Sequence, residues 1–227
     1  MLECWQAIEP SFNQAIMKTI AVISQKGGAG KTTIALNLAV AAVRSGHQCA
    51  VIDIDPQASA KCWHDLRRDE APVVVSAQAA RLPEILQTAK QNGADLVIID
   101  TAPHSESAAL TAARLADLVL VPCRPSLLDL KAITTTVDLA ALAKTPALAV
   151  LNTLPMRGGL KGEAEQVLKS YGVEMAPVTF GHRIAFVHSL TSGQGVLEYE
   201  PNINYSGRGA DGIFIVVGEA LPRYPDS

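Results

Sequence analysis

A glycine-rich segment at residues 24–33, SQKGGAGKTT, carries the residue types that bind phosphate. It follows the pattern G-x-x-x-x-G-K-[ST], except that Gln25 occupies the first glycine position. Glycines let the backbone fold tightly, so that successive N–H groups point at phosphate oxygens. Lys31 is expected at the β- and γ-phosphates, and the Thr32 hydroxyl is expected to bind Mg²⁺. The segment predicts a nucleotide-binding loop formed by Gly27, Gly28, Ala29, Gly30, Lys31, Thr32 and Thr33.

Three aspartates follow apolar runs and could serve a metal ion or a water molecule. Asp53 and Asp55 lie in VIDIDPQ (51–57), two residues apart, so on a strand both side chains face the same way. Asp100 lies in LVIIDTAP (96–103), which resembles a Walker B carboxylate acting on Mg²⁺ through water. One carboxylate beside Mg²⁺ can hold a coordinated water, and another can orient the water that attacks a phosphate. For Asp55 the alternative is a simple turn at the strand end.

Alternating strands and helices are expected to position these residues. Short β-branched runs alternate with longer stretches of helical composition, and continuous apolar strands between helices predict a parallel sheet covered on both faces. The predicted fold class is α/β, a doubly wound, mostly parallel sheet with helices on both faces. Strands are predicted at 18–24, 48–55, 71–77, 94–100, 117–123, 146–152 and around 173–179, and helices at 32–46, 79–93, 105–116, around 127–143 and around 160–171.

The ligands of such sheets bind beyond the carboxyl ends of the strands. The glycine-rich loop, the three aspartates and Asn152 all lie at predicted strand ends. We therefore expect four strand ends to converge on one site. The alternative for Asn152 is a helix-cap or turn residue.

Size and composition limit the function classes. The chain has 227 residues, enough for one domain with a substantial core, and its net charge of −3 means that any nucleic-acid contact must come from a local patch. No apolar run approaches the roughly 20 residues that cross a bilayer. The cysteines lack a C-x-x-C pair, which argues against a zinc or iron–sulfur site within one chain and predicts small buried thiols in a reducing cytoplasm. They are Cys4, Cys49, Cys62 and Cys123.

The first 16 residues are predicted to be an extension outside the fold. Met17 opens MKTIAVISQKGGAGKTT, which would itself be a plausible start of the chain, and the preceding segment lacks the basic start and apolar core of a secretory signal. We expect a single domain over 17–227.

Three motifs together resemble the ParA/MinD family of deviant Walker A ATPases. They are KGGAGKTT (26–33), DIDPQ (53–57) and IDTAP (99–103). Two later segments, CRPSLLDLKA (123–132) and GHRIAFVHSLTSGQGVLEYEP (181–201), are similar to the short ParA-type partition proteins in particular. The resemblance covers about residues 18–201, most of the chain.

This resemblance implies a role for the extra lysine of the loop. In that family, the residue matching Lys26 reaches across a face-to-face dimer to the partner's nucleotide, so ATP joins two subunits. Lys31 and Asp55 would complete the catalytic set, with Asp55 orienting the hydrolytic water. Thr32, Asp53 and Asp100 would serve Mg²⁺, and Asn152 would contact adenine. The cofactors implied are ATP and Mg²⁺.

The resemblance also implies what the ATPase acts on. In ParA-type proteins the ATP-bound dimer binds DNA without sequence preference, and a ParB-like partner on the cargo stimulates slow hydrolysis. That would place the protein in the cytoplasm, on the nucleoid when ATP is bound. Candidate DNA contacts are basic residues in the last third of the chain, interrupted by glutamates: Arg157, Lys161, Lys169 and Arg183. An ordinary solvated surface is the alternative.

Two other functional classes share the predicted sheet and a phosphate loop. A MinD-like protein would bind a membrane through a C-terminal amphipathic helix, but the tail 207–227 contains the apolar GIFIVV and lacks a cationic face, so membrane binding is not expected. An ATP-dependent small-molecule ligase of the same fold would need a dedicated substrate pocket. Lys26 and the DPQ sequence point away from that class. No arginine stands near the loop in the sequence, so unstimulated turnover is expected to be slow.

Overall fold

The structure, a computed structural model, describes residues 17–155 and 159–201. Within those ranges seven strands form one sheet, and all neighbouring strands are parallel. The strands are Lys18–Val22 (β1), Cys49–Asp53 (β2), Val73–Ser76 (β3), Leu96–Asp100 (β4), Leu118–Cys123 (β5), Ala147–Leu154 (β6) and Glu174–Gly181 (β7). Their order across the sheet is β3-β2-β4-β1-β5-β6-β7.

Helices connect the strands and cover the sheet. They are Lys31–Arg44 (α1), Ser59–Leu66 (α2), Leu82–Gln91 (α3), Glu106–Leu115 (α4), Leu127–Ala132 (α5), Thr134–Ala143 (α6), Leu160–Ser170 (α7), Ile184–Thr191 (α8) and Val196–Tyr199 (α9). A short 3₁₀ turn, Ala79–Arg81, precedes α3. Strands and helices alternate along the chain, and the strands lie parallel in the sheet, as the apolar runs predicted.

Two apolar clusters, one on each face of the sheet, explain why the inner strands are apolar throughout. Along β1, Ile20 and Val22 join the cluster that contains α1, α2, α8 and α9, whereas Ala21 and the following Ile23 join the cluster that contains α3 to α7. Successive side chains of a strand point to opposite faces, so a sheet covered on both sides requires apolar residues at every position. The predicted doubly wound architecture is confirmed.

The predicted single helix at 127–143 is wrong in one respect. It is divided into α5 and α6, with Ile133 between them. The hydroxyl of Thr134 donates a hydrogen bond to the carbonyl of Lys131, 2.9 Å away. Threonine side chains that bond to nearby backbone in this way compete with a continuous helix.

Three helices were not predicted: α2, α8 and α9. Helix α2 has only eight residues, and its first turn depends on a side chain outside the helix, at the end of β2. One carboxylate oxygen of Asp53 accepts hydrogen bonds from the backbone N–H groups of Ala60 and Lys61, at 2.9 and 3.3 Å. The capping aspartate lies six residues before the helix begins, outside the N-cap position at which helix starts are recognised in a sequence.

The cysteine prediction holds in part. Cys49 and Cys123 are free, buried thiols, and burial is the main cause that raises both pKa values. Cys62 is exposed on α2, so the expectation of a buried thiol is wrong there. Cys4, the segment 1–16 and the tail 207–227 lie outside the described residues. Among the helices that the structure describes, none has both the length and the apolar character needed to cross a bilayer.

A buried ion pair joins α2 to the end of the described chain. The guanidinium of Arg67 donates to both carboxylate oxygens of Glu198, at 2.8 and 2.6 Å, and to the carbonyl of Gly193 at 3.0 Å. The Arg67 side chain is 3% exposed and lies over the ring of Trp63, 5.0 Å from its centroid. Trp63 itself is buried and donates its ring N–H to the carbonyl of Gln194 at 3.2 Å. The pair therefore fixes α2 against the loop before α9.

Replacing Arg67 by methionine should destabilise the protein. The Glu198 carboxylate would remain largely buried without its cation, a change that costs about 3 kcal/mol. Although burial opposes the shift, Arg67 and the Gly195 backbone N–H hold the pKa of Glu198 below its usual range. The lost stability should therefore be full at neutral pH and shrink as pH falls through that lowered pKa. Urea unfolding at pH 7 and pH 4 measures both effects.

The matched control is Arg68→Met, because Arg68 is the exposed neighbour in sequence. It should change the free energy of unfolding by less than about 0.5 kcal/mol. Equal stability of the two variants at pH 7 would show that the Arg67–Glu198 pair does not hold α2 in place.

Candidate nucleotide-binding site

The glycine-rich loop runs from the end of β1 into α1. Gly28 and Gly30 have φ values of +70° and +94°, a region that side chains with a Cβ rarely adopt. At Gly30 an added Cβ would also collide with the side-chain nitrogen of Asn152. The backbone path therefore requires glycine at positions 28 and 30, and α1 begins directly after Gly30 with its N–H groups toward the loop.

Two side chains from neighbouring strands hold the loop from outside. The Asn152 side-chain amide in β6 donates to the carbonyl of Ala29 at 2.9 Å, and its oxygen accepts from the Thr153 N–H at 2.8 Å. Arg124, which follows β5, donates to the carbonyl of Gly28 at 2.8 Å. The structure thus brings Asn152 to the loop, while its contact with adenine stays a prediction. Sequence reasoning missed Arg124, which stands 96 residues from Gly28.

Lys31 and Lys26 occupy different surroundings. Lys31 is 7% exposed, and its ammonium approaches the carbonyl of Lys26 at 3.5 Å. Burial lowers the pKa of Lys31, and the negative charges of Asp100 and Asp55 oppose that shift. Lys26 has a half-exposed side chain whose ammonium forms an ion pair with Asp129 of α5. A buried lysine inside the loop fits the phosphate role, and an accessible one fits a role outside it.

Asp129 is the second residue that sequence reasoning missed. It is 9% exposed, and it accepts hydrogen bonds from the Lys26 ammonium and the Ser126 hydroxyl. Burial opposes ionisation here, but those hydrogen bonds and the positive charges of Lys26 and Arg124 hold the pKa of Asp129 below its usual range. The one feature of the sequence that could have indicated Asp129 is its position as an acidic residue between two leucines in the motif SLLDLKA.

The three predicted aspartates meet beside the loop. Asp53 and Asp100 are paired across the adjacent strands β2 and β4, and both are fully buried. Asp53 accepts three backbone N–H bonds, from Asp55, Ala60 and Lys61. Burial raises the pKa of Asp53, while those N–H groups oppose the shift. Asp55 is partly exposed, and one of its carboxylate oxygens accepts the N–H of Gln57 at 2.9 Å.

Asp100 has an environment that fits a metal-bound water. Neither of its carboxylate oxygens has a hydrogen-bond partner among the described residues. The Thr32 side chain lies close enough to lower its pKa, although without hydrogen-bond geometry. Burial is the main cause that raises the pKa of Asp100 to about 7, and the charges of Asp53 and Asp55 add to the shift. An isolated buried carboxylate is unfavourable unless a cation or a proton joins it.

Mg²⁺ fits this arrangement when a nucleotide is bound. Magnesium is usually held by one or two protein groups together with phosphate oxygens and water. Within residues 17–155 and 159–201, no three His, Cys, Asp or Glu side chains form a metal site of their own. Thr32 and Asp100 lie together at the loop, with Asp53 beside them, so these residues would hold the ion together with the nucleotide.

Three of the four predicted DNA contacts lie within the described residues. Lys161 lies in the first turn of α7 and Lys169 in its last turn, about 12 Å apart along the helix, with Glu165 midway. Arg183 precedes α8, near the ends of the strands. Arg157 lies outside the described residues. The role of these four residues stays a prediction.

Comparison with known proteins places this geometry among nucleotide-binding domains. Residues 20–176 match the family model described as the CobQ/CobB/MinD/ParA nucleotide binding domain. Maintenance of carboxysome distribution protein A from Gloeobacter kilaueensis is 31% identical over 210 residues, which are 91% of this chain and 94% of that protein. Protein ParA from Rhizobium radiobacter is 34% identical over 116 residues, 50% of this chain and 51% of that protein.

A solved structure has the same fold. The septum site-determining protein MinD from Pyrococcus horikoshii, complexed with Mg-ADP, superposes with a TM-score of 0.74 over 92% of this chain and 100% of that chain. The two sequences are 16% identical. At that identity the similarity supports the fold, while the site has to be judged from the residues above.

Replacing Asp100 by asparagine should stabilise the nucleotide-free protein at alkaline pH. Because the folded-state pKa of about 7 exceeds the ordinary value of 3.8, folding favours the protonated form, and ionisation lowers stability as pH rises from 4 to 8. Asparagine removes that charge, so the variant should gain about 2–4 kcal/mol at pH 8 and little at pH 4. Thermal or urea unfolding across this pH range tests the prediction.

Asp138→Asn is the control, since Asp138 is an exposed carboxylate of α6. Its free energy of unfolding should follow that of the unmodified protein at every pH. If Asp100→Asn also followed the unmodified protein, Asp100 would have an ordinary pKa, and the description of it as a buried carboxylate without a partner would be wrong. Mg-ADP should stabilise the unmodified protein more than Asp100→Asn, because the variant lacks a carboxylate for the ion.

Proposed function

The chain belongs to the CobQ/CobB/MinD/ParA nucleotide-binding family, and on that premise we propose that it positions a large cargo by an ATP-controlled cycle of dimerisation and DNA binding. It is an ATPase of the ParA/MinD type. In the proposed cycle, Mg-ATP joins two copies, the dimer binds DNA without sequence preference, and a cargo-bound partner stimulates hydrolysis. Hydrolysis then releases the dimer from DNA.

The observation that carries the dimerisation step is the position of Lys26. Its half-exposed side chain pairs with Asp129 beside the loop, whereas Lys31 is buried inside the loop, where we expect the phosphates to bind. A half-exposed ammonium at the mouth of a phosphate site can meet the nucleotide of a second copy. Opposite charges attract strongly once water is excluded, so ATP can act as the joint between subunits, and ADP, lacking the γ-phosphate, should hold them less well.

Asp55 supports the hydrolytic step. It is partly exposed beside the buried metal-site residues, and its charge reaches both Lys31 and Asp100. A carboxylate in this position would orient the attacking water, while bound Mg²⁺ would supply charge neutralisation on the phosphates. Arg124 lies at the loop, but its guanidinium is bonded to the Gly28 carbonyl, so we do not assign it the role of an arginine finger and expect turnover without a partner to be slow.

The cargo is proposed from the extent of the sequence similarity. The match to the carboxysome distribution protein extends over 91% of this chain, whereas the match to the ParA protein extends over 50%. The longer match includes the C-terminal third, where a partner or DNA would bind. We therefore favour a large protein assembly as the cargo, with a plasmid or chromosome region as the other candidate.

Replacing Lys26 by alanine should strongly weaken ATP-dependent dimerisation. The variant loses the cation that meets the partner's phosphates, so the dimer should weaken roughly tenfold or more, while ADP binding to the monomer changes little. Sedimentation velocity with Mg-ATP and with Mg-ADP measures the two states. Lys90→Ala, an exposed lysine of α3, is the control and should dimerise normally. Normal ATP-dependent dimerisation of Lys26→Ala would refute this role.

Binding to DNA is tested by co-sedimentation with non-specific duplex DNA and, separately, with anionic liposomes. Each mixture contains ATP, ADP or no nucleotide, at 50 and 200 mM salt. Retention on DNA that requires ATP and falls steeply with salt supports the proposal, because phosphate contacts release counterions. Retention on liposomes would favour a MinD-like membrane function. Binding to neither surface would favour the small-molecule ligase.

A further inference from the structure

Two successive carbonyl groups of the phosphate loop are bonded to side chains outside it. The guanidinium of Arg124 donates to the carbonyl of Gly28 at 2.8 Å, and the side-chain amide of Asn152 donates to the carbonyl of Ala29 at 2.9 Å. Arg124 follows β5 and Asn152 lies in β6, so both come from strands on the same side of β1. The two contacts form a row along the outer side of the loop.

These bonds determine where the neighbouring N–H groups point. In a planar trans peptide unit, the carbonyl and the following N–H point in opposite directions. The Gly28 carbonyl faces Arg124, so the N–H of Ala29 faces away from Arg124. The Ala29 carbonyl faces Asn152, so the N–H of Gly30 faces away from Asn152. These two N–H groups belong to the part of the loop whose amides bind phosphate.

The loop needs such restraints because its sequence gives it little rigidity. Gly27, Gly28 and Gly30 lack a Cβ, so their peptide units can rotate at low energetic cost. An N–H that points toward phosphate only part of the time loses binding energy to the ordering that binding then requires. A fixed partner on the carbonyl side removes that loss before the ligand arrives.

We propose that Arg124 is a positioning residue that holds the Gly28–Ala29 peptide unit with its N–H toward the phosphates. Asn152 does the same for the Ala29–Gly30 unit. Arg124 acts through its hydrogen bond and not through charge on the nucleotide. Its guanidinium is engaged by the loop carbonyl, and the nearby carboxylate of Asp129 offsets its positive charge. The inference concerns nucleotide binding itself and does not depend on the cargo.

The orientation is tested directly by NMR on the nucleotide-free protein. Labelling glycine carbonyls with ¹³C and alanine nitrogens with ¹⁵N selects three peptide units, 28–29, 93–94 and 209–210. In Arg124→Ala the Ala29 amide signal should shift or broaden, while that of Ala94 stays in place. In Asn152→Ala the Gly30 amide, observed with the reverse labelling, should change more than the Ala29 amide.

The consequence for binding is measured by titration with ADP and with the non-hydrolysable analogue AMP-PNP. Arg124→Ala should weaken both ligands about 5- to 10-fold, the amount expected for one lost orienting hydrogen bond. The loss should be similar at 50 and 500 mM salt, because no charge on the nucleotide is removed. Arg124→Lys keeps a donor and should recover part of the affinity. Arg114→Ala, an exposed arginine of α4, is the control and should bind both ligands normally.

Three results would overturn the inference. An Ala29 amide signal unchanged in Arg124→Ala would show that the bond does not hold the peptide unit. Unchanged ADP affinity would show that this orientation does not matter for binding. A loss confined to AMP-PNP, or one that disappears at 500 mM salt, would assign Arg124 to the γ-phosphate charge instead.

Discussion

Buried charge at the carboxyl ends of the central strands is the constraint on which the site depends. Asp53 and Asp100 face each other across β2 and β4 with no solvent exposure, and Lys31 is almost as deeply buried. Charged groups that are removed from water need hydrogen-bond or ionic partners, and these three groups differ in how many they have. Asp53 has backbone N–H groups, whereas Asp100 has no hydrogen-bond partner in the described chain. The parallel sheet holds the two carboxylates in fixed register, so a bound cation is the natural complement of this arrangement.

Asp53 also links the site to helices α2 and α9. Asp53 caps the first turn of α2, and Arg67, just past the end of α2, is bonded to Glu198 in α9. A second connection runs through α1, where Asn37 bonds to the carbonyl of Thr33 and accepts the N–H of Val196, both at 2.8 Å. Both connections therefore run from the nucleotide site to α9. Helix α9 is thus joined by hydrogen bonds to the helix that follows the phosphate loop.

The segment that follows β5 plays a corresponding role on the opposite side of the loop. Arg124 holds a loop carbonyl, and Asp129, supported by Ser126, holds the ammonium of Lys26. The segment also exposes Leu127 and Leu128, at 68% and 77% of their surface. One short stretch of chain thus contacts both the loop backbone and the extra lysine, and it exposes two leucines beside them.

Local patterns were sufficient to predict the parallel sheet and most of the site. Buried parallel strands must be apolar on both faces, and a phosphate loop needs glycines, lysine and threonine at fixed spacing, so both leave signals within a few residues. Contacts between residues distant in the chain leave no such signal. The pairing of Lys26 with Asp129 and the bond from Arg124 to Gly28 each join segments about 100 residues apart, which only folding brings together. The sequence by itself determined the chemistry available at the strand ends, and the tertiary structure decided how each group is oriented, because orientation depends on partners supplied by other strands.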